Sequence, residues 1–221
     1  MKLLSGLLLI LLSLAVVSAT PSWSEVYRQS KSAIFQVLVL KDGEPAGACS
    51  AVAYAAGHGT VNALTANHCV HPTVHGEDGP PAHPSTFTIQ ADGKDITLLA
   101  TAPNLDLAVF QVPAEKITPL HLATRTPEIG EEVAVLGFAY GVVGGPPAQF
   151  GHVVLSAPKH ELWIDAAVIG GDSGGAVIDR SGALLGVTLG FHSDGSVGHT
   201  GYVSPADVIR EFLKEAKLLG E

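Results

Sequence analysis

Short apolar runs separated by turn-forming residues are the feature of this sequence that most constrains its fold. Val, Ile and Thr recur in these runs, which end at Gly, Pro, Asn or Asp, and 25 Gly and 14 Pro dilute the helix-forming residues. This pattern is typical of many short β-strands. Because 47% of the 221 residues are hydrophobic and only 15% are charged, the chain can bury one substantial core. We therefore expect one compact all-β unit.

The runs predict two sets of about six strands each. The first set covers residues 33–40, 48–54, 60–65, 87–89, 95–102 and 107–112, and the second covers 132–138, 150–156, 161–166, 176–179, 184–189 and 201–203. Turns are predicted at residues 41–44 and 57–59, and the Pro- and Gly-rich residues 71–84 predict an exposed loop. Two such sets fit two packed six-stranded antiparallel β-barrels, although the pattern alone also allows a sandwich.

Helical signals lie near both ends of the mature chain. Residues 24–32 predict a short turn or helix, and Ser204 with Pro205 has the pattern of an N-cap followed by the first helical residue. Apolar residues then recur at helical spacing, which predicts a C-terminal helix over 205–218 with one buried face. These residues are Val208, Ile209, Phe212, Leu213 and Ala216.

The first 19 residues have the pattern of a signal peptide. Lys2 precedes an apolar run over residues 7–17, and Val17-Ser-Ala19 forms a small-x-small cleavage site. An uncleaved membrane anchor is the alternative, but the run is shorter than the roughly 20 apolar residues that span a bilayer. We expect an exported protein that begins near Thr20, has no stable membrane anchor, and contains one domain over 20–221, with barrels over about 33–112 and 120–203.

The charge balance excludes one class of partner. The net charge is −9 and the isoelectric point is about 5.5, whereas nucleic-acid binding requires clustered Lys and Arg. An acidic surface that keeps an exported protein soluble explains the same numbers. We therefore expect no nucleic-acid partner. The sequence does not indicate an oligomeric state.

Three segments carry residues suited to acyl-transfer chemistry. Gly-rich residues 170–175 contain Ser173, residues 64–70 place His68 after an apolar strand, and residues 104–110 place Asp106 at the start of another. A serine becomes a strong nucleophile when a base and an orienting carboxylate accompany it. Taken singly, the Ser and Asp are more often structural turn residues, and the His a surface or core residue.

These segments resemble those of the chymotrypsin-like, or trypsin-like, serine peptidase family. Residues 65–69 (T-A-N-H-C) are similar to that family's T-A-A-H-C, residues 106–109 (D-L-A-V) to its D-[IL]-A-[LV], and residues 171–175 match its G-D-S-G-G. The resemblance covers nearly the whole mature chain. It implies that Ser173 is the nucleophile, His68 the base and Asp106 the residue that orients the base. It also implies an oxyanion hole formed by the N–H groups of Gly171 and Ser173.

Cys49 and Cys69 are the two cysteines of the chain. An even count in an exported protein favours a disulfide, with two unpaired buried thiols as the alternative. The resemblance implies a bridge between these residues beside the histidine.

The resemblance also suggests which side chain a substrate presents. Ala167 stands where trypsin-type enzymes carry an Asp, so a bound Lys or Arg would lack a counter-charge. Ala167, Val168 and Leu189, with Thr188 and Gly190 nearby, predict an apolar slot for residues such as Val, Ala or Leu. In the sequence, His192 and His199 lie close enough to keep acidic specificity as an alternative.

Other features separate the chain from related classes. It lacks the activation site of the digestive enzymes, so we expect activity once the signal is removed. Residues 188–190 and 201–205 resemble bacterial HtrA-like peptidase domains, although too few residues follow for a PDZ domain. The α/β-hydrolase pattern needs Asp and His after the Ser, and too little chain follows Ser173.

Two further alternatives concern function. The intact triad favours an enzyme acting on proteins or peptides over an inactive protease-like binding module. His71 and His75 have the spacing of a helical metal pair, but Pro72 and the surrounding Pro and Gly residues disfavour such a helix. We therefore expect neither a metal nor a cofactor.

Overall fold

A computed structural model describes residues 20–71, 86–157, 161–192 and 200–219 of the chain. The first half contains helices α1 (Trp23–Ser30) and α2 (Asn67–Val70) and strands β1 (Ile34–Lys41), β2 (Glu44–Gly57), β3 (Thr60–Ala66), β4 (Phe87–Ala91), β5 (Lys94–Asp95), β6 (Thr97–Ala102) and β7 (Leu107–Pro113). The second half contains β8 (Glu132–Leu136), β9 (Ala148–Ala157), β10 (Glu161–Ile164), β11 (Ala176–Ile178), β12 (Leu184–His192), β13 (Thr200–Pro205) and helix α3 (Ala206–Glu215). The predicted all-β fold with a C-terminal helix is confirmed.

The first half forms a curled seven-stranded sheet instead of a closed six-stranded barrel. Its strand order is β5-β4-β1-β2-β3-β7-β6. The strand predicted over 95–102 divides at Ile96, so that β5 lies on one edge of the sheet and β6 on the other. Ile96 therefore connects the two edge strands along the chain, but β5 and β6 do not pair with each other. The hairpin predicted at 41–44 is present, because Lys41 pairs with Glu44 across the turn.

The second half is a closed six-stranded barrel. Its strand order is β10-β13-β12-β11-β8-β9, and β9 pairs with β10 to close it. The inward side chains form a compact apolar core, which includes Val133, Val135, Leu162, Ile164 and Leu185. Closure leaves no unpaired edge, which makes this half a rigid support for the loops at its rim.

The helices differ from the predictions by small amounts. α1 starts after Ser22, whose hydroxyl accepts a hydrogen bond from the N–H of Glu25 at 3.3 Å. α3 begins one residue later than predicted, with Pro205 rather than Ser204 at its N-cap. The reason is that Ser204 and Pro205 still pair with β12 as part of β13.

Two sequence predictions fall on residues that lie outside the described ranges. These are the signal peptide over 1–19 and most of the loop over 71–84, the latter including His75. Within the described residues, no helix is both long and apolar enough to span a bilayer.

Candidate active site

Neighbouring strands of the first sheet bring His68 and Asp106 together. β3 pairs with β7 in an antiparallel register that places Ala66 opposite Leu107. The chain leaves β3 at Ala66 and enters α2, which contains His68, while Asp106 immediately precedes β7. Two residues that are 38 positions apart in sequence therefore lie at the same end of two paired strands.

His68 and Asp106 contact each other at two points. The ring Nδ1 of His68 lies 2.7 Å from Oδ2 of Asp106, and the backbone N–H of His68 donates to Oδ1 at 2.9 Å. Their side chains are 47% and 34% exposed. Contact through Nδ1 leaves Nε2 as the ring nitrogen free to exchange a proton with a third group.

A disulfide joins this corner to the rest of the sheet. Cys49 of β2 and Cys69 of α2 are bonded, with an S–S distance of 2.04 Å. The Sγ atom of Cys69 also lies 3.7 Å from the carbonyl oxygen of Ser173. The bridge therefore ties the helix that bears His68 to a strand that contacts the serine turn, the name used here for residues 169–175.

Donors from other parts of the chain hold the peptide groups that precede Ser173. The carbonyl of Gly170 accepts a hydrogen bond from the N–H of Tyr140 at 2.7 Å. The carbonyl of Gly171 accepts one from the hydroxyl of Ser50 at 2.8 Å. The peptide planes on both sides of Gly171 therefore have a set orientation.

The next peptide plane is held in the same way. The carbonyl of Asp172 accepts hydrogen bonds from the N–H of Gly175 at 2.8 Å and from the hydroxyl of Thr188. The carbonyl of Ser173 accepts one from the N–H of Ser50 at 2.7 Å. Strands β2 and β12 thus fix the backbone on both sides of the serine.

These bonds leave the N–H groups of Gly171 and Ser173, on either side of Asp172, without a hydrogen-bond partner among the described residues. The N–H of Gly170 also lacks one, and that of Ile169 donates to the Asp172 side chain. In a trans peptide the N–H points opposite to the preceding carbonyl, so those of Gly171 and Ser173 point away from the donors that hold the turn. The N–H groups of Asp172, Gly174 and Gly175 donate to backbone carbonyls, whereas no such bond is present for Gly171 or Ser173 among the described residues.

Two glycines make this backbone path possible. Gly171 has φ +99°, and a Cβ there would lie 2.4 Å from the carbonyl oxygen of Phe138. Gly174 has φ +86°, and a Cβ there would lie 2.0 Å from the carbonyl oxygen of Ser50. Any other residue at either position would meet both strain and a steric clash.

Asp172 is a buried carboxylate beside the serine. Its Oδ2 accepts hydrogen bonds from the N–H of Ile169 and from Nε2 of Gln149, both at 3.1 Å, while its Oδ1 is buried without a partner. Burial raises the pKa of Asp172 to about 6, and the two hydrogen bonds oppose part of that shift. No cation is among the groups that shift this pKa.

The hydroxyl of Ser173 lies beside a groove. Its Oγ donates to the carbonyl of Leu189 at 3.4 Å, a long hydrogen bond. The groove has a volume of about 690 Å³ and runs past Asp106, Leu189 and Gly190. Its remaining walls include Trp163, Phe191, Tyr202, Glu161 and His192. A peptide in extended form could therefore lie along β12 next to the serine.

The residues of the predicted substrate pocket lie in different surroundings. Leu189 and Gly190 line the groove. Val168 and Thr188 are fully buried. Val168 packs in the core of the second barrel, and the hydroxyl of Thr188 is used to hold the serine turn. Ala167 is exposed but is not part of the groove wall.

Sequence reasoning missed the residues that support the serine turn. Ser50 is 121 positions from Gly171, and Gln149 is 23 positions from Asp172. Neither lies in a motif, so no signal in the sequence pointed to them. Thr188 was noticed, but it was assigned to the pocket wall.

One cluster has the composition of a metal site but cannot act as one. Cys49, His68 and Cys69 have ligand-type atoms within 4.8 Å of one another. Both sulfurs are part of the disulfide, so neither is a thiolate that could bind a metal. The predicted partner of His71, His75, lies outside the described residues.

The two β-units and the positions of the candidate catalytic residues identify the fold. A curled sheet and a closed barrel, with the His–Asp pair on the first and the serine turn on the second, are the arrangement of the chymotrypsin-like fold. The chain has this fold in common with a serine endoprotease from Yersinia pestis, with a TM-score of 0.70 at 20% identity over 89% of this chain and 66% of that one. It also resembles an inactive form of a mutant Rv3671c from Mycobacterium tuberculosis, with a TM-score of 0.66 at 22% identity over 89% and 92% of the two chains.

The sequence comparison identifies the family. The profile of the trypsin-like peptidase domain matches residues 49–187, and the chain belongs to that family. It is 32% identical over 136 residues to the serine protease Rv3671c of M. tuberculosis, covering 55% of this chain and 34% of that protein. It is 25% identical over 142 residues to the periplasmic serine endoprotease DegP of Escherichia coli, covering 59% and 30%. The chain thus spans about a third of the length of these relatives.

Proposed function

We propose that this protein is a serine endopeptidase that cleaves proteins or peptides through an acyl-enzyme on Ser173. His68 takes the proton of the Ser173 hydroxyl and returns it to the leaving amine, and Asp106 orients the imidazole and stabilises its cation. The N–H groups of Gly171 and Ser173 bind the developing oxyanion.

One observation carries this proposal: the serine turn leaves those two N–H groups unpaired while its carbonyls are bound elsewhere. An unpaired N–H is costly unless water or a substrate binds it. The 2.7 Å contact between His68 and Asp106 supports the same mechanism, because it orients the base through a carboxylate that lines the groove. The bond from Ser173 to Leu189 is long enough to be exchanged for one to His68 when a substrate binds.

Labelling with a fluorophosphonate probe tests the proposal. The protein beginning at Thr20 should react at Ser173, and Ser173→Ala should remove the label and lower kcat on the order of 10⁶-fold. Ser24 is an exposed serine of α1, so Ser24→Ala is the matched control and should react like the wild type. A folded wild-type protein that is neither labelled nor active on casein would instead be a binding module.

The base has a matched control as well. His152 lies 3.6 Å from Asp165 on the second barrel, and its side chain is 53% exposed, close to the value for His68. His68→Ala should abolish labelling and peptide hydrolysis, whereas His152→Ala should leave both unchanged. Equal loss in the two variants would exclude a specific role for His68.

We also propose cleavage after small or medium apolar residues. Leu189 and Gly190 line the groove, and Ala167 stands where trypsin-type enzymes carry an Asp. Glu161 and His192 also line the groove, so cleavage after basic or acidic residues is the alternative that the test distinguishes. His199 is outside the described residues. Cleavage of a peptide library mainly after Ala, Val or Leu is expected, and cleavage mainly after Arg, Lys or Glu would contradict it.

Export is part of the proposal. The relative DegP is periplasmic by name, the two cysteines form a disulfide, and residues 1–19 have the pattern of a signal peptide. Sequencing of the mature protein from its native host should find Thr20 or a neighbouring residue at the amino terminus. An intact Met1 would contradict cleavage.

A further inference from the structure

Asp172 differs from Asp106 in the way its charge is balanced. Asp106 contacts the ring of His68, which can become a cation. Asp172 is 0% exposed, and its partners are neutral donors, the backbone of Ile169 and the side chain of Gln149. Gln149 is therefore the side chain that holds a buried carboxylate directly adjacent to Ser173.

We propose that Gln149 is a positioning residue for the oxyanion-binding N–H groups. Its amide anchors the Asp172 carboxylate to β9, and the carboxylate in turn sets the path of the serine turn. The proposal rests on the proposed function, since it assigns Gln149 a role in the same catalytic step.

Asp172 closes the serine turn through two hydrogen bonds to Ile169. Oδ2 of Asp172 accepts the N–H of Ile169, and the N–H of Asp172 donates to the carbonyl of Ile169 at 3.1 Å. These bonds close a loop that contains Gly170 and Gly171. Any displacement of the Asp172 side chain therefore moves the N–H groups of Gly171, inside the loop, and of Ser173, immediately after it.

Gln149 is well placed to limit that displacement. It lies in β9 opposite Val135 of β8, within the closed barrel, so its backbone is held on the rigid side of the site. On the other side, Oδ1 of Asp172 would lie 2.6 Å from a Cβ at position 137, so the carboxylate packs against the bare backbone of Gly137. The carboxylate is thus confined between a glycine and one side-chain donor.

The hydrogen bond from the neutral amide of Gln149 is strong enough to hold Asp172 only while the Asp172 carboxylate is charged. Charged acceptors form stronger hydrogen bonds than neutral ones. The titratable side chains on the elements packed around it are Glu44 and Tyr54 of β2, Glu132 of β8, Tyr140 after β8, His152 of β9, Glu161 of β10, Asp165 after β10 and His192 of β12. None of these is among the groups that shift the pKa of Asp172.

Gln149 and Asp172 each have a side-chain oxygen outside their shared hydrogen bond. Oε1 of Gln149 and Oδ1 of Asp172 are both buried acceptors that lack a donor among the described residues. Most buried polar atoms in folded proteins have a hydrogen-bond partner. The side-chain link between Gln149 and Asp172 is the one bond from Nε2 to Oδ2.

Two variants test the proposal with purified protein. Gln149→Met keeps the length of the side chain but removes the donor. We expect kcat to fall about 10- to 100-fold, less than the full loss of an oxyanion donor, while KM changes by less than about threefold. Gln90→Met is the matched control, because Gln90 donates to Asp95 at 3.0 Å at the edge of the first sheet. It should leave kcat unchanged.

Gln149→Glu gives a pH-dependent readout and covers the case in which Gln149→Met does not fold. Two adjacent buried carboxyl groups repel each other when both are charged, which raises the pKa of the second ionisation, so the pair keeps one shared proton until the pH rises past that value. That proton replaces the amide donor, and we expect kcat near the wild-type value at about pH 6 followed by a loss as the pair ionises. The wild type should keep its activity over the same rise in pH.

A measurement without substrate separates this proposal from the proposed function. Amide hydrogen exchange at Ile169 and Asp172, whose N–H groups form the hydrogen bonds that close the turn, should be faster in Gln149→Met than in the wild type or in Gln90→Met. An inert wild-type enzyme would reject the peptidase function alone. Unchanged exchange and kcat in folded Gln149→Met, or a Gln149→Glu activity profile that keeps the wild-type shape, would reject the role of Gln149.

Discussion

The His–Asp corner and the serine turn solve the same positioning problem by different means. His68 and Asp106 lie at the ends of two directly paired strands, remain partly exposed, and contact each other through Nδ1 and Oδ2 at 2.7 Å. The serine turn is anchored through its carbonyls by residues of other elements, including Ser50 and Tyr140, and its acid Asp172 is fully buried beside neutral donors.

The difference follows from what each region contributes to the reaction. At the corner the side chains act, so they need access to the groove and an orienting partner. At the turn the backbone acts together with one hydroxyl, and backbone N–H groups are effective only if they are preorganised. Buried anchors provide that rigidity. Changes at the corner should therefore affect chemistry alone, whereas changes around the turn should couple activity to stability.

The largest expected effect tests the corner. Asp106→Asn preserves the shape of the side chain but favours the wrong tautomer of His68, so kcat should fall about 10⁴-fold. The melting temperature should stay close to the wild-type value, because the pair is partly exposed. Asp165→Asn, which alters the exposed pair with His152, is the control. A loss in kcat below about tenfold would contradict the orienting role of Asp106.

The disulfide connects the two regions, and its removal should act on stability. The bridge spans 20 positions, and closing a loop of that size is worth about 3 kcal/mol in the chain-entropy model. Cys49→Ala/Cys69→Ala should lower the free energy of unfolding by about that amount in urea titrations. A reductant should destabilise the wild type and leave the double variant unchanged. If reduction of the wild type had no effect, the bridge would not contribute to stability.

Asp172→Asn should make stability less dependent on pH. In the wild type, the pKa of this acid is raised to about 6 from its ordinary value of 3.8. The folded state therefore binds more protons than the unfolded state in that window, and this contribution to stability is lost as the pH rises through it. Relative to the wild type, the Asn variant should gain about 2 to 3 kcal/mol between pH 4 and pH 8.

The measurement is urea unfolding of both proteins at each pH. Other titrating groups are common to the two proteins and cancel in the difference. Asp165→Asn, an exposed aspartate, controls for the loss of one charge and should change this difference far less. A difference between the Asn variant and the wild type that stays constant from pH 4 to pH 8 would show that Asp172 ionises normally.

The smallest expected effect concerns Ser50. Its hydroxyl accepts the N–H of Phe138 at 2.7 Å and donates to the carbonyl of Gly171 at 2.8 Å. Ser50→Ala should therefore loosen one peptide plane, lower kcat about tenfold, and lower the free energy of unfolding by about 1 to 3 kcal/mol, because the N–H of Phe138 and the carbonyl of Gly171 lose their shared partner. Ser30→Ala removes a buried hydroxyl of α1 and should leave kcat unchanged. Equal kcat in Ser50→Ala and Ser30→Ala would show that the Ser50 hydroxyl does not contribute to holding the serine turn in its active geometry.

The residues proposed to act in catalysis could be named from the sequence. His68, Asp106 and Ser173 each lie in a short motif of consecutive residues. The apolar runs predicted most strands to within a few residues of their observed ends. The burial of Val168 and Thr188 could not be predicted from the sequence, because the face that a strand or loop residue presents depends on its partners. The seventh strand was missed because a break at Ile96 changes only one position.

The sequence by itself determined the fold class, the order of the acting residues and the presence of a glycine-rich turn, because periodicity and residue chemistry are local properties. Only the tertiary structure decided which groups hold that turn. Ser50 and Gln149 are ordinary polar residues of β2 and β9, and nothing near them in sequence marks them. Their role arises because barrel closure and sheet packing bring them within hydrogen-bonding distance of Gly171 and Asp172.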